Sequence, residues 1–428
     1  MTSGDTIIAL SSGAPPSGVA VIRLSGPEAG ALLEQVAGPL PQARQLTLRP
    51  IGQGTMLDRG LIAWFPAPHS FTGEDCAELQ VHGSPAGVRA ILKLLTTNGA
   101  RLAEAGEFTR RAFENGKLDL VEIEGLGDLL EAETENQRRQ ALARFEGGLT
   151  QRVDAWRNQL LDLRAEIEAR LDFSDEGDVD DALPPEFGDN IAALHTDIET
   201  ALAGFAHGLI IREGIRVALA GAPNAGKSSL LNALAKSDIA IVTDEAGTTR
   251  DVRQVPLDLG GQLYILLDLA GLRETNSKAE AEGVRRARKA IADADIVLWL
   301  NAPDIADDLD APENALRIGT KADLGAVPDV DLSISTQTGE GMDELLARII
   351  ALGDGMMQGE PSLLSHERDR VALMEALAAL HRSREQLSLP ELAAESLRIA
   401  SQALERLIGR IDAERVLDRL FASFCIGK

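Results

Sequence analysis

The sequence predicts a multidomain chain combining α/β and α parts: an N-terminal α/β domain over 1–117, a helical bundle domain split between 118–213 and 359–428, and a second α/β domain inserted over 214–358. Three observations predict it. Short apolar runs alternate with turns and an amphipathic helix as far as Lys117. From about Asp119 the apolar residues recur at spacings of three and four. From Ile215 the pattern becomes strand–helix–strand, and after about Gly359 it is helical again. Helices on both sides of an α/β block point to an insertion, which a host fold tolerates because a domain's termini often lie close together.

In chain order, "GVAVIRLSG", "RGLIAWFPAP" and "CAELQVHGSP" read as strands, and "AGVRAILKLLTTNG" as a helix. The stretch from Leu120 to Phe173 is strongly helical. Leu149, Val153, Trp156, Leu160, Leu163, Ile167 and Leu171 form one apolar stripe suited to bundle packing. The acidic, proline-containing "SDEGDVDDALPPEFGD" reads as a loop or linker. "IRVALAG", "LYILLDLAG" and "ADIVLWLNA" are apolar strands, and "ELAAESLRIASQALERLIGRI" belongs to the returning helices. No internal repeat and no low-complexity tract interrupts this order.

Composition excludes several classes. A hydrophobic content of 44% with 25% charged residues describes an ordinary globular protein. The start "MTSGDTIIALSSG" lacks the basic region and apolar run of a signal peptide, and no stretch reaches the ~18 apolar residues of a membrane span. Two cysteines, Cys76 and Cys425, are too few for a disulfide framework, so a cytoplasmic protein with reduced thiols is expected. Cations and anions balance over Met1–Lys117, so the whole formal charge of −25 lies after Lys117. Such a surface disfavours generic binding of phosphate backbones.

"GAPNAGKSS" at Gly221–Ser229 matches G-x-x-x-x-G-K-[ST], follows a predicted strand and opens a predicted helix, "SSLLNALAK". The loop's N–H groups and the helix N-terminus form a cradle for phosphates. Lys227 reaches the β- and γ-phosphates, and Ser228 ligates Mg²⁺. "GTTRD" supplies Thr249 as a second Mg²⁺ ligand, and "DLAG" at Asp268–Gly271 places Asp268 near the metal and the Gly271 N–H near the γ-phosphate. "TKAD" at Thr320–Asp323 suits guanine, because an aspartate accepts two hydrogen bonds from that base's edge and adenine lacks the pair of donors. "STQTGEG" from Ser335 closes over the base. These motifs, in order along the chain, predict a P-loop (Ras-like) GTPase domain binding GTP/GDP. The candidate set is Asn224, Ala225, Gly226, Lys227, Ser228 and Ser229; then Thr243, Asp244, Glu245, Ala246, Gly247, Thr248 and Thr249; then Asp268, Leu269, Ala270 and Gly271; then Thr320, Lys321, Ala322, Asp323, Ser335, Thr336 and Gln337.

Three positions depart from the common pattern. Thr320 replaces the usual asparagine and offers fewer contacts; Leu269 replaces a common threonine. Leu272 stands where many GTPases carry the glutamine that orients the attacking water, so another group must act, with Glu274, Glu280 and Glu282 nearby in sequence. Each of these could equally be solvated charge on a helix.

"FTGED" (Phe71–Asp75), "AGEFTRRAFENGKLDL" (Ala105–Leu120), "GAPNAGKSS", "DEAGTTRD", "DLAGLRE" and the terminal "FCIGK" together resemble the tRNA-modification GTPases of the MnmE (TrmE) family, from Thr6 to Lys428. The resemblance implies that the N-terminal domain dimerises and binds a tetrahydrofolate carrying a one-carbon unit, the 5-formyl or 5,10-methylene form. The matching positions are Arg23, Glu78 and Lys117. A carboxylate such as Glu78 suits adjacent pterin N–H donors, and cations suit folate's carboxylates. Read alone, Arg23 and Lys117 are ordinary surface charges. The resemblance also implies K⁺ at Asn224, Thr243, Glu245 and Thr248, completed when two such domains meet, and Glu280 as the residue orienting the attacking water.

The end "LFASFCIGK" places Cys425 where a prenylation signal would, but the last residue is Lys428 and no polybasic run precedes it, which argues against lipidation. Phe421 and Phe424 suggest that the preceding helix packs on something. Without further information the tail is a frayed terminus. The resemblance implies instead that it reaches the folate site, with Cys425 acting chemically and Lys428 holding the folate. It further implies a homodimer working with a FAD-containing partner, MnmG (GidA), in a heterotetramer-type complex that engages tRNA and adds a (carboxymethyl)aminomethyl group to C5 of the wobble uridine. The competing expectation is a ribosome-assembly or other regulatory GTPase without modification chemistry, which the P-loop motifs fit equally.

Overall fold

The computed structural model describes residues 4–172, 183–241, 253–269, 289–305, 311–357, 362–411, 416–417, 420–421 and 427. It separates into two compact units, one of Met1–Gly127, Thr150–Arg157 and Ser401–Lys428, the other of Asp128–Leu149 and Asn158–Ala400.

The first unit begins with β1 (Ile7–Leu10), β2 (Ser17–Ser25), α1 (Ala29–Ala37), β3 (Thr47–Gln53), β4 (Thr55–Phe65), β5 (Cys76–Gly83), α2 (Pro85–Thr97), β6 (Arg101–Leu102) and α3 (Glu107–Glu114). One sheet runs β3-β4-β5-β2-β1-β6, with the β1–β6 pair parallel and the others antiparallel. Its register explains the alternation in the sequence. Ile62, Leu79 and Ile22 stand in one row across β4, β5 and β2 and are wholly buried beneath α1 and α2. The neighbouring row, Leu48–Leu61–Gln80–Val21, faces the other way, and there Leu48 is 59% and Leu61 36% exposed. Helix α2 starts where the sequence says it should. Ser84 is the N-cap, its Oγ accepts from the Gly87 N–H at 3.4 Å, and Pro85 occupies the first turn, where no donor is needed.

The helices that follow are α4 (Leu120–Glu131), α5 (Glu135–Phe145), α6 (Gly148–Asp172), α7 (Phe187–Ala203) and α8 (Phe205–Glu213). Along α6 the predicted stripe is buried from Leu149 to Ile167, with no member above 6% exposure, and Leu171 is half-buried. The expected linker is shorter than the sequence suggests. Residues 173–182 lie outside the described set, and the last three of its residues already belong to α7, because Pro184 and Pro185 precede a helix anchored by Phe187 at 2% exposure.

Next come β7 (Ile215–Gly221), α9 (Lys227–Ala235), β8 (Arg253–Leu259), β9 (Gln262–Asp268), β10 (Ile296–Asn301), β11 (Leu316–Gly319), β12 (Leu332–Ser333) and α10 (Met342–Met356). The sheet runs β12-β11-β10-β7-β9-β8, parallel except for the β8–β9 pair. Strands buried on both faces read as unbroken apolar runs, which is why β7, β9 and β10 stand out in the sequence. Helices α11 (Glu367–Glu385), which packs on α7, and α12 (Pro390–Leu407) follow.

Helix α5 ties the inserted α/β part to its host. The Asn136 N–H donates to Gly261 O at 3.0 Å in the β8–β9 turn, and Gln137 Nε2 donates to Arg212 O at 3.0 Å at the end of α8. Gln140 Nε2 donates to Gly208 O (3.1 Å) and to Ser362 O (2.8 Å), on the way in and the way back. Arg144, wholly buried, donates to Leu363 O and pairs with the equally buried Asp369 at 2.8 Å. Those two passages of chain lie in contact: a Cβ at Gly208 would meet Leu364 O at 2.1 Å.

Candidate functional site

All four parts of the predicted nucleotide motif that fall on described residues lie at the carboxyl ends of parallel strands, where open α/β sheets bind ligands. Gly221 closes β7, and its lack of a side chain is obligatory: at φ +126° a Cβ would meet Leu300 O at 2.2 Å. The loop turns through Asn224, exposed and at φ 61°, to Gly226, which caps α9 at φ 96°. Asparagine tolerates that left-handed conformation better than most residues. Lys227 is buried and donates through Nζ to Gly221 O (2.8 Å) and Ala222 O (2.6 Å), folded along the loop it serves. Ser228 Oγ donates to Asp268 Oδ2 at 2.9 Å, so the two expected metal contacts share one place. Asp268, at the end of β9, is 3% exposed. A hydroxyl and a carboxylate are oxygen donors of the kind Mg²⁺ takes, alongside phosphate oxygens and water.

The base-reading motif follows β11. Thr320 is buried; its N–H donates to Asn301 O at 2.7 Å, and its Oγ1 contacts Ala225 O at 2.7 Å and Asn301 O at 3.1 Å. Lys321, at φ 54°, pairs with Asp304 at 2.8 Å, and the Ala322 N–H donates to Ile334 O at 3.1 Å. Asp323 is exposed, while Ser335 is wholly buried and donates to Asp323 Oδ1 at 2.6 Å. The backbone N–H groups of Gln337 and Thr338 in turn reach Ser335 Oγ, at 3.3 and 3.2 Å. Leu269 is buried, which fits a packing role. Thr243, Asp244, Glu245, Ala246, Gly247, Thr248, Thr249, Ala270, Gly271 and Glu280 lie outside the described residues.

In the first unit, Arg23 and Glu78 face each other across β2 and β5 and form an ion pair at 2.9 Å, both half-buried. The Arg23 guanidinium lies 5.5 Å from the Phe71 ring centre and 5.9 Å from that of Phe108. Lys117 lies along Gly73, in the loop that carries Phe71. That loop is pinned by a group the sequence did not single out. Arg111 donates to Glu74 at 3.1 Å and to Asp5 at 2.9 Å, and Glu107 bridges Arg111 and Arg101. Burial pushes the Glu107 carboxyl up, but Arg101, the Glu104 N–H and Arg111 outweigh it and hold the group below the usual carboxylate range. The only signal was that Phe71, Glu74, Glu107, Phe108 and Arg111 all sit inside two of the quoted motifs; nothing in their spacing predicts that they meet.

The C-terminal tail is represented by Gly427, since Cys425 and Lys428 lie outside the described residues. Gly427 is buried at φ +103°, and a Cβ there would meet Leu10 O at 2.4 Å and Ser11 Cα at 3.0 Å. Leu10 ends β1, next to Ala9, the residue paired with Arg23. Phe421, 2% exposed, lies under the Arg110 guanidinium at 5.1 Å and against Gly106. Among the described residues no group of three or more His, Cys, Asp or Glu side chains could hold a metal ion, and no helix is long and apolar enough to cross a membrane.

Residues 6–117 match the family described as the GTP-binding protein TrmE N-terminus, and residues 120–425 match the MnmE helical domain. A tRNA modification GTPase MnmE of Azorhizobium caulinodans is 51% identical over 433 residues, covering 100% of this chain and 99% of that protein. The protein of the same description from Rhizobium johnstonii is 50% identical, over 99% of both chains. That of Methylobacterium radiotolerans is 48% identical, over 100% of both. With such similarity along its whole length, and with a phosphate loop and a base-reading loop at one sheet edge, the chain belongs to the tRNA modification GTPases of the MnmE family.

Proposed function

We propose that this GTPase acts as a K⁺-dependent homodimer with a FAD-containing partner, MnmG (GidA), and that the two together add a (carboxymethyl)aminomethyl group to C5 of the wobble uridine of certain tRNAs in the cytoplasm. The one-carbon unit comes from 5-formyl- or 5,10-methylene-tetrahydrofolate. The domains are 1–117 for folate binding and dimerisation, 118–213 with 359–428 for the helical body, and 214–358 for the nucleotide.

The observation that carries the folate reading is the approach of Gly427 to the end of β1, one residue from the strand position opposite Arg23. A tail that must be glycine there to fit is a tail with a fixed destination. Glu78, pinned by Arg23, is free to accept on its other oxygen from a pair of pterin N–H donors, while Phe71 and Phe108 flank the guanidinium. Lys117 and Lys428 supply cations for the folate carboxylates, and Cys425 lies two residues before Gly427. Dimerisation is supported by the exposed apolar row through Leu48 and Leu61, joined on β4 by Met56 at 67% exposure.

At the nucleotide, Lys227 binds the β- and γ-phosphates, Ser228 and Asp268 hold Mg²⁺ with Thr249, and Asp323 with Ser335 reads the guanine. Asn224, Thr243, Glu245 and Thr248 hold K⁺, whose charge offsets that developing on the phosphates; the exposed Asn224 amide fits such a role. Glu280 orients the attacking water.

The test is deletion of Cys425–Lys428, with Gly427→Ala as its mild form. GTP turnover continues in both, because every residue assigned to the nucleotide falls between Gly221 and Gln337, whereas wobble-uridine modification with the flavin partner is lost on deletion and reduced by the alanine. Normal modification by the truncated protein overturns the folate reading of the tail.

A further inference from the structure

We propose that the Thr320 hydroxyl is a strap between the base-reading loop and the phosphate loop, making Thr320 a positioning residue for GTP. The proposal rests on the assignment of Gly221–Ser229 and Thr320–Asp323 as the loops that hold GTP. Thr320 stands where the motif usually carries asparagine, so the question is whether this chain has lost a contact or replaced it.

The geometry points to replacement. A threonine hydroxyl has one hydrogen to give. Asn301 O already accepts the Thr320 N–H at 2.7 Å, and it lies farther from Oγ1, at 3.1 Å, than Ala225 O does, at 2.7 Å. The hydrogen therefore goes to Ala225 O, inside the phosphate loop. The close approach depends on the next residue of that loop: a Cβ at Gly226 would stand 3.3 Å from Thr320 Oγ1 and 3.4 Å from its Cβ. Thr320 is 4% exposed and Ala225 1%, so water does not compete for the bond.

The far end of the base loop is also fixed, by Ala322 N–H to Ile334 O at 3.1 Å and by Ser335 Oγ to Asp323 at 2.6 Å. The strap is thus the direct side-chain link from the group that reads the base to the loop that takes the phosphates. One GTP must satisfy both loops at once, and a spacing set in advance lowers the ordering cost of doing so. A ligand touching only the phosphate loop gains nothing from the strap.

The experiment compares GTP with inorganic tripolyphosphate, each titrated as a competitor of a fluorescent GDP analogue, on the full chain and on Thr320→Val, Thr320→Ser and Thr320→Asn. Thr320→Val keeps the shape and removes the donor. It should weaken GTP about two- to tenfold, because binding must then order the two loops that the bond holds together, and leave tripolyphosphate unchanged. Thr320→Ser restores the hydroxyl and wild-type GTP affinity, and Thr320→Asn retains a donor and binds GTP at least as well as Thr320→Val. Equal GTP affinity in Thr320→Val and wild type overturns the proposal. So does a parallel loss of tripolyphosphate, which would mean that the valine deforms the phosphate loop itself. Should Thr320→Val fail to fold, a tenfold loss of GTP in Thr320→Ser overturns it equally. Failure of the wild type to bind GTP would instead refute the assignment of the loops.

Discussion

Replacing Ser335 by alanine frees the base-reading carboxylate and also removes the acceptor of the Gln337 and Thr338 N–H groups. Ser335 is wholly buried, so alanine fits its space, while Asp323 is exposed and held on one side by the 2.6 Å bond from Ser335 Oγ. Without that bond an exposed aspartate side chain distributes over roughly three staggered χ1 wells, only one of which faces the base. Confining it again on binding costs roughly RT ln 3, about 0.6 kcal/mol, within the ~0.5–1.5 kcal/mol expected for ordering one side chain. The dissociation constant for GTP should therefore rise about threefold, with a ceiling of about tenfold. The free protein loses this bond and the acceptor of the Gln337 and Thr338 N–H groups as well, so most of their worth, about 1 kcal/mol or more, appears as lower stability rather than weaker binding. Titration with a fluorescent GDP analogue reads the first quantity and a urea midpoint the second. Asp323→Asn is the companion: it inverts the donor–acceptor pattern and shifts preference from guanosine to xanthosine nucleotides. If Ser335→Ala binds GTP as tightly as wild type, or if Asp323→Asn keeps its guanosine preference, Asp323 is not the base reader.

Three further outcomes follow from the same structure. GTP hydrolysis should be faster in potassium than in sodium salts, and Asn224→Gly, which suits the φ of 61° at that position while removing the amide, should abolish the difference; equal wild-type rates in the two salts would refute a K⁺ site. Arg144→Met strips the buried Asp369 of its 2.8 Å partner, with Arg368 remaining at 3.6 Å, and should cost about 3 kcal/mol, read as a lowered urea midpoint, with Arg144→Met/Asp369→Leu recovering part of it; a wild-type midpoint in Arg144→Met would show the pair to be idle. Burial pushes the Asp128 carboxyl up, but His366 and Arg212, bonded at 2.8 and 2.9 Å, outweigh it and hold it below its ordinary value. Its contribution to stability is therefore fully present above about pH 4 and is lost as pH falls through the depressed value, so Asp128→Asn should flatten that part of the acid-denaturation curve; an unchanged curve would exclude it.

How much of this was legible depended on the kind of contact. Period and sequence-local motifs carried well: the α6 stripe is buried as read from Leu149 to Ile167, and β7, β9 and β10 declared themselves as apolar runs. Strand β8 did not, because Pro256 at its centre reads as a break; it survives as the edge of the sheet, where a missing donor costs little. Helix α5 hid its importance for a different reason. Arg144 and Gln140 look like surface polar residues on a helix, and only the fold shows them facing carbonyls and a carboxylate more than two hundred residues away. The same limit governs the sites. The phosphate and base motifs could be read because each is contiguous, whereas the Arg23–Glu78 pair is made by strand register and the Thr320 strap by a loop crossing, neither of which a linear pattern contains.

The contact between Gly208 and Leu364 has a consequence for how such a chain could have been assembled. The nucleotide part is reached and left through a single doorway, so the host's architecture is interrupted at one point rather than bridged at two. A gene encoding the helical host could gain the whole part in one splice, with no rearrangement of the helices on either side. The bond from the Asn136 N–H to Gly261 O holds the part at a second place, and at the doorway itself Gly208 leaves no room for even a methyl group.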